Sequence, residues 1–351
     1  MRGFELIGSG HYVPGPPVTN DQLARVMDTS DEWIYQRSGI RQRHYAPEGV
    51  TATDMGAEAA KRALEQAQIL PKEVDYVIFA SMTPDYQLPG PGAILAYKVG
   101  LENVPALDIR QQCGAMLYGI QLVDALIKSG AAKTILFVGA EAHAGFMPWT
   151  DWDVLMGESD REVTKEAREK ANAHRALAVL FGDGAGALVF RATDRDAGLV
   201  GAKVHSDGRQ AEMLYVPGGG FRTRPHWNDK MFDEQAYVPR MDGKELFKFA
   251  VTKLPKSARE LCAEHHVKLD QIDIFLAHQA NKRINEFVRE QLGVPAEKMP
   301  MNIDRFGNTS AGTIPILIDE LNRAGKLKRG QLNMMLALGA GLHWGTALVR
   351  W

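Results

Sequence analysis

Two cysteines in 351 residues, Cys113 and Cys262, are too few for a disulfide framework or a four-cysteine metal site. No apolar run approaches the ~20 residues that span a bilayer, and the opening Met-Arg-Gly-Phe-Glu lacks the charged-then-apolar layout of a secretion signal. Charge of one sign is scarce too. The 41 Lys and Arg against 43 Asp and Glu leave a formal charge of -2, which argues against nucleic-acid binding through a basic field over the whole protein. These absences predict a cytoplasmic protein, neither secreted nor embedded in a membrane. What is present is ordinary for a folded chain: hydrophobic residues are 45% and charged residues 24%, too apolar a mixture to stay disordered. The length is a prior for about two domains.

Short apolar runs at 74–80, 134–139, 176–190, 272–278 and 332–338 predict buried strands. One-sided helical patterns at 54–67, 113–129, 243–265 and 310–323 alternate with them. The alternation predicts an α/β protein with largely parallel inner strands. A repeat underlies it. A helix, an Asp-bearing turn and a strand occur around Asp75 and again around Asp273, 198 residues later, and Gly130 and Gly325, 195 apart, close corresponding helices. Cys113 and Asn308, also 195 apart, are then expected at equivalent helix starts facing one cleft. The predicted halves are residues 1–190 and 191–351. A charged, helix-prone insertion at 148–175 is either a solvated surface excursion or a flap beside the site, since Trp149, Trp152, Leu155 and Met156 give it an apolar face.

Cys113 lies at a strand-to-helix junction. A lone cysteine is usually a small buried hydrophobe, but a helix N-terminus lowers a thiol pKa and makes a nucleophile. Cys262, inside a helical pattern, reads as core. His278 stands at a strand end, where α/β sheets place ligands; Asn308 can be read as a helix cap. Together, Cys, His and Asn supply a nucleophile and two donors for acyl transfer. A papain-like protease uses the same three types, but its Cys-Gly-Ser-Cys-Trp signature is missing. Phe181-Gly182-Asp183-Gly184-Ala185-Gly186 lacks the Lys-Ser/Thr of a phosphate loop and reads as tight backbone turning. Gly8-Ser9-Gly10 is followed by prolines where a dinucleotide fold needs a helix, so NAD and ATP are not expected.

These motifs, with Thr29-Ser30-Asp31-Glu32-Trp33-Ile34, Ser38-Gly39-Ile40-Arg41, His278-Gln279-Ala280-Asn281, Gly307-Asn308-Thr309-Ser310 and Trp344-Gly345-Thr346-Ala347-Leu348-Val349-Arg350, run end to end. In them the chain resembles the β-ketoacyl-acyl-carrier-protein synthase III family of thiolase-fold condensing enzymes. The resemblance implies two duplicated halves in five layers, α-β-α-β-α, and a homodimer. It implies an acyl-CoA primer loaded on Cys113, malonyl-acyl carrier protein as the second substrate, and decarboxylative condensation to a 3-oxoacyl carrier protein. His278 and Asn308 would stabilise the enolate, and the backbone amides of Cys113 and Ala340 would hold the oxyanion. CoA would meet Thr29, Trp33, Arg37, Arg175, Gly243, Phe247 and Asn281, with adenine stacked between Trp33 and Arg175. No metal and no cofactor are implied, CoA thioester being a substrate. Lys248 and Arg283 are the candidates for carrier-protein docking, whereas Glu290 and Gln291 stand where relatives can carry lysines.

Departures from the family pattern bear on the primer. Leu88 stands where short-primer members place a phenylalanine across the dimer, which implies an acyl group longer or bulkier than acetyl. Met116 offers an adaptable pocket wall. Ala340 replaces a glycine and would be strained at positive φ, and His343 adds a basic group near the cleft. The same residues also allow a specialised secondary-metabolism acyltransferase, a head-to-head condensing enzyme, a thioesterase-like hydrolase in which water resolves the acyl-cysteine, or a non-catalytic binding module.

Overall fold

Strand residues that alternate between two apolar environments build the frame. In the strand Tyr76–Ala80, Ile78 and Ala80 enter one core while Val77 and Phe79 enter another. In Thr134–Glu141 all eight residues are buried, with Ile135 and Phe137 on one face and Leu136, Val138 and Ala140 on the other. Such strands need helices on both faces. The computed structural model describes residues 3–351. Its first sheet contains β1 (Gly3–Tyr12), β2 (Tyr76–Ala80), β3 (Ala106–Ile109), β4 (Thr134–Glu141) and β5 (Gly184–Thr193), in the order β1-β5-β4-β2-β3. The second contains β6 (Gly198–Ser206), β7 (Ile274–Ala277), β8 (Leu332–Gly339) and β9 (His343–Arg350), in the order β7-β8-β9-β6.

The helices that matter for the site are α1 (Asp31–Ser38), α2 (Ala52–Ala67), α3 (Pro91–Val99), α4 (Ala115–Lys128), α5 (Gly243–Glu264), α6 (Lys282–Leu292) and α7 (Thr313–Arg323). Helices α4 and α7 share one core with the inner faces of both sheets. Helices α2 and α3 cover the outer face of the first sheet, and α5 and α6 that of the second, where Cys262 packs. The result is the five-layered α-β-α-β-α arrangement. Each large core side chain, such as Phe137 or Phe275 at 0% exposure, contributes about 1.5–3 kcal/mol by leaving water. Among the described residues, no helix is long and apolar enough to cross a membrane.

Three expectations change. The sheets are mixed: β2 is parallel to β3 and β4, but β5 runs antiparallel to β4 and β1, and β9 to β8 and β6. The three residues between β8 and β9 can only close a hairpin, since a parallel connection needs a crossover. The apolar run 176–190 is not one strand. Arg175–Ala178 is helical and β5 begins at Gly184. Finally, the repeat is offset by 198 where it matters. The turn Gln112–Gly114 before α4 matches Ser310–Gly312 before α7, and β4 matches β8. The position equivalent to Cys113 is therefore Ala311, with Asn308 three residues before it. The 195 spacing arises because α7 is 11 residues long against 14 for α4.

Candidate active site

The site gathers where strands of both sheets end. Arg110 to Cys113 follow β3, Glu141 closes β4, His278 follows β7 and Ala340 follows β8. Two glycines let the turns reach it. A Cβ on Gly139 in β4 would lie 2.2 Å from the Ala311 carbonyl oxygen, and one on Gly339 in β8 would lie 2.8 Å from the Gly114 nitrogen and 3.0 Å from the Cys113 nitrogen. Each sheet thus receives the turn that precedes the other half's inner helix. Gly339→Ala must push the Cys113 turn away. Urea denaturation should record a loss of about 1–3 kcal/mol, the usual cost of overpacking, and an unchanged midpoint would sink this account.

Cys113 is buried on its 3-10 turn, and its Sγ donates to the Ser310 hydroxyl at 3.5 Å, with the Asn308 amide also against it. The expected lowering of its pKa does not dominate. Burial pushes the thiol up to about 12, and the nearby Glu141 carboxylate opposes the thiolate as well. The resting group is the thiol.

One turn, Asn308 to Thr313, touches all three expected residues. Asn308 Oδ1 accepts the Ser310 amide at 2.8 Å, so it caps locally while its amide group reaches Cys113. The Thr313 hydroxyl lies 3.0 Å from the Ser310 carbonyl oxygen and 2.6 Å from His278 Nδ1. His278 Nε2 is buried without a partner among the described residues, and burial lowers the imidazole pKa to about 3, so the ring is neutral. The Gly182-Asp183 turn holds this assembly in place. The Asn308 backbone pairs with Leu180 and Gly182, and the buried Asp183 carboxylate accepts amides from Ala46, His143 and Ala144. Reading that motif as a turn misses the positioning it does.

The turn after β8 carries Ala340 without strain, because the left-handed geometry falls on Gly341 at φ 134°. His343 supports it: the ring would contact any Cβ on Gly341, and Nδ1 is engaged by Ser206 Oγ at 2.8 Å and the Tyr118 hydroxyl at 3.3 Å. It is a buttress under the turn.

A cavity of about 1420 Å³ opens against Cys113 and Ala340. Trp152 and Met156 of the 148–175 insertion line it beside Phe181 and Tyr237, while Trp149 and Leu155 are buried in the core next to it. Part of the insertion's apolar face thus lies beside the site. Met116 does not line this cavity. At 1% exposure it packs between the sheets, because a residue three beyond Cys113 falls on the core face of α4. Leu88 is 88% exposed and lies outside it as well.

The residues expected to meet CoA form a separate rim, none of them lining that cavity. The Arg37 and Arg175 guanidinium groups each lie 4.4 Å from the Trp33 ring centroid, and Arg175 also donates to the Asp28 carbonyl. Thr29 Oγ1 is buried without a partner among the described residues. Asn281 donates to the Arg37 carbonyl at 2.9 Å and caps α6, while Phe247, one turn after Gly243 at the start of α5, packs edge-on against Phe287 of α6. Arg283 and Lys248 are exposed, the latter paired with Glu245 at 2.6 Å. The sequence reading missed Glu141, Ser310 and Thr313. Ser310 and Thr313 stand near Asn308 in the sequence, but nothing local distinguishes Glu141 from any strand-end carboxylate.

Similar proteins identify the family. Family models described as "Thiolase, N-terminal domain", "3-Oxoacyl-[acyl-carrier-protein (ACP)] synthase III" and the same synthase's "C terminal" match residues 36–155, 165–208 and 262–351. A β-ketoacyl-[acyl-carrier-protein] synthase III from Paramagnetospirillum magneticum is 39% identical over 351 residues, covering 99% of this chain and 98% of the relative. One from Bordetella petrii is 38% identical, covering 98% and 97%. Among solved structures, 3-oxoacyl-[acyl-carrier-protein] synthase III from Aquifex aeolicus VF5 superposes with a TM-score of 0.84 at 35% identity, covering 99% of this chain and 100% of that one. The priming β-ketosynthase of the R1128 polyketide pathway also gives 0.84, at 27% identity and coverage of 99% and 96%. With end-to-end relatives at this identity and the same five-layered fold, the chain belongs to the 3-oxoacyl-acyl-carrier-protein synthase III family of condensing enzymes.

Proposed function

We propose that this enzyme loads an acyl group bulkier than acetyl from acyl-CoA onto Cys113 and condenses it with malonyl-acyl carrier protein, releasing CO2 and a 3-oxoacyl carrier protein. The observation that carries the reading is the Asn308 to Thr313 turn, which joins Cys113, Asn308 and His278 through four polar contacts. In the first half-reaction the Cys113 sulfur attacks the thioester carbonyl, the amides of Cys113 and Ala340 meet the oxyanion, and CoA departs. In the second, loss of CO2 from the malonyl thioester leaves an enolate. The Asn308 amide and His278 Nε2–H donate to its oxygen, and the carbanion attacks the acyl-Cys113 carbonyl. The Thr313 hydroxyl, closer to His278 Nδ1 than to the Ser310 carbonyl, supports the tautomer that this donation needs when its proton points to Nδ1.

The bulky-primer reading rests on Leu88, which stands where short-primer relatives place a phenylalanine; the cavity beside Cys113 is lined by Pro84, Asp85 and Gln87 just before it. On the same reading CoA enters over the rim of Trp33, Arg37 and Arg175, one guanidinium moving aside for adenine. Lys248 and Arg283 receive the acidic carrier protein. The exposed Leu88, with Tyr86 and Tyr97, faces the second subunit of a cytoplasmic homodimer.

The test mixes the protein with labelled acyl-CoAs of increasing size and malonyl carrier protein, and follows acyl-enzyme, CO2 and product. Acyl-enzyme, CO2 and 3-oxoacyl product should form together, with medium or branched primers ahead of acetyl. Acyl-enzyme without CO2 would sink the decarboxylating reading, free acid would show a hydrolase, and a preference for acetyl would remove the primer assignment.

A further inference from the structure

We propose that Ser310 and Glu141 take the Cys113 thiol proton during acylation: the S–H proton passes to Ser310 Oγ as the Ser310 hydroxyl proton passes to the Glu141 carboxylate. The inference rests on the reading that Cys113 is acylated and that His278 Nε2 is a donor. A nitrogen that already carries a proton cannot accept the one that Cys113 must lose, so the site needs another acceptor. Ser310 Oγ is 3.5 Å from Sγ, and the same side chain interacts with the Glu141 carboxylate.

The local structure is organised around this carboxylate. Glu141 is 0% exposed, yet among the described residues no Lys or Arg pairs with it. Its oxygens accept from Ser81 Oγ at 3.2 Å, Met82 N at 3.0 Å, Thr83 N at 3.1 Å and Thr83 Oγ1 at 2.7 Å. Ser310 is held at φ 47°, a conformation uncommon outside glycine. Gln112, beside Cys113, has the same φ. Backbone strain of this kind is kept where a side chain must be aimed. The other titratable groups facing Glu141 are Cys113 itself and Asp183, behind which His143 Nδ1 lies 3.8 Å from the Asp183 carboxylate. Burial raises Glu141 to about 6 while it lowers His278 to about 3, so Glu141 is also the stronger base.

The protons balance over the cycle. The Cys113–acyl bond forms, the acyl–S(CoA) bond breaks, and the CoA thiolate takes a proton from solvent. Neutral Glu141 holds the thiol's proton until condensation expels the Cys113 thiolate, which takes it back through Ser310.

The experiment measures acylation rate and iodoacetamide alkylation of Cys113 against pH for wild type, Glu141→Gln and Ser310→Gly, the glycine accepting φ 47° without strain. Acylation should fall about a hundredfold in both variants, the lower range for a general base, and the acid limb of the wild-type profile should vanish. Alkylation at neutral pH should slow. A carboxylate acting only as a neighbouring charge predicts the opposite, since removing it favours the thiolate; faster alkylation in Glu141→Gln overturns the relay. So does an acid limb that survives in both variants, which would belong to Asp183 or His143. Alkylation needs no acyl substrate. A wild-type enzyme that no acyl-CoA loads would therefore refute the acyl-transfer reading, while the alkylation comparison still decides the relay.

Discussion

Replacing Cys113 by alanine will leave the enzyme unable to retain label from acyl-CoA after denaturation, and condensation will fall by on the order of 10⁴ to 10⁶, the loss seen when an enzyme loses its covalent nucleophile. The expectation follows from position. Cys113 is the sulfur that reaches both the 1420 Å³ cavity and the Asn308 to Thr313 turn, whereas Cys262 is enclosed in the core between α5 and the second sheet. The substitution removes one sulfur from a site already held by the 3-10 turn, so circular dichroism and melting should show the fold intact. If Cys113→Ala still exchanged acyl groups between CoA molecules, the nucleophile would be another residue.

Changing His278 or Asn308 should separate the two half-reactions. His278→Ala is expected to keep acyl-enzyme formation and to lose about 10²–10³-fold in CO2 release, the effect of removing one donor to a developing oxyanion. On the proposed mechanism the imidazole donates only after the malonyl thioester arrives, and with the ring gone the Thr313 hydroxyl turns its proton to the Ser310 carbonyl, 3.0 Å away. Asn308 needs a more careful substitution. Its Oδ1 accepts the buried Ser310 amide, so alanine strands that amide at a cost of about 1–3 kcal/mol. Asn308→Asp keeps the acceptor but replaces the amide by a carboxyl group in a buried site beside Cys113. Both Asn308 variants should lose condensation and lower the denaturation midpoint, alanine by stranding the Ser310 amide and aspartate by burying an acid. If His278→Ala lost acylation and CO2 release equally, the ring would serve the first half-reaction and the division of labour would be wrong.

The parts of the site that were legible in the sequence are those with local signatures. Cys113 at a strand-to-helix junction, His278 at a strand end and the Gly307-Asn308-Thr309 turn each announce themselves by what flanks them. The repeat was legible as well, although only its longer spacing of 198 is structural, because α7 is one turn shorter than α4. Met116 shows why the acyl pocket was not legible. A flexible apolar residue beside the nucleophile fits a pocket wall and a core equally well, and helix phase alone decides between them. Glu141 was hidden for a related reason: its partners come from two distant segments, Ser81 and Thr83 from one and Ser310 from the other.

By itself the sequence determined the fold class, the family and the three residues around which the chemistry is argued, because hydrophobic period, turn residues and short motifs are written within a few positions of one another. Only the tertiary structure decided what state those residues rest in. Burial makes Cys113 a thiol and His278 a neutral ring, Gly139 and Gly339 let each sheet receive the other half's turn, and the insertion becomes a cavity wall. These are consequences of dielectric environment and close approach between distant segments, and neither exists until the chain has folded.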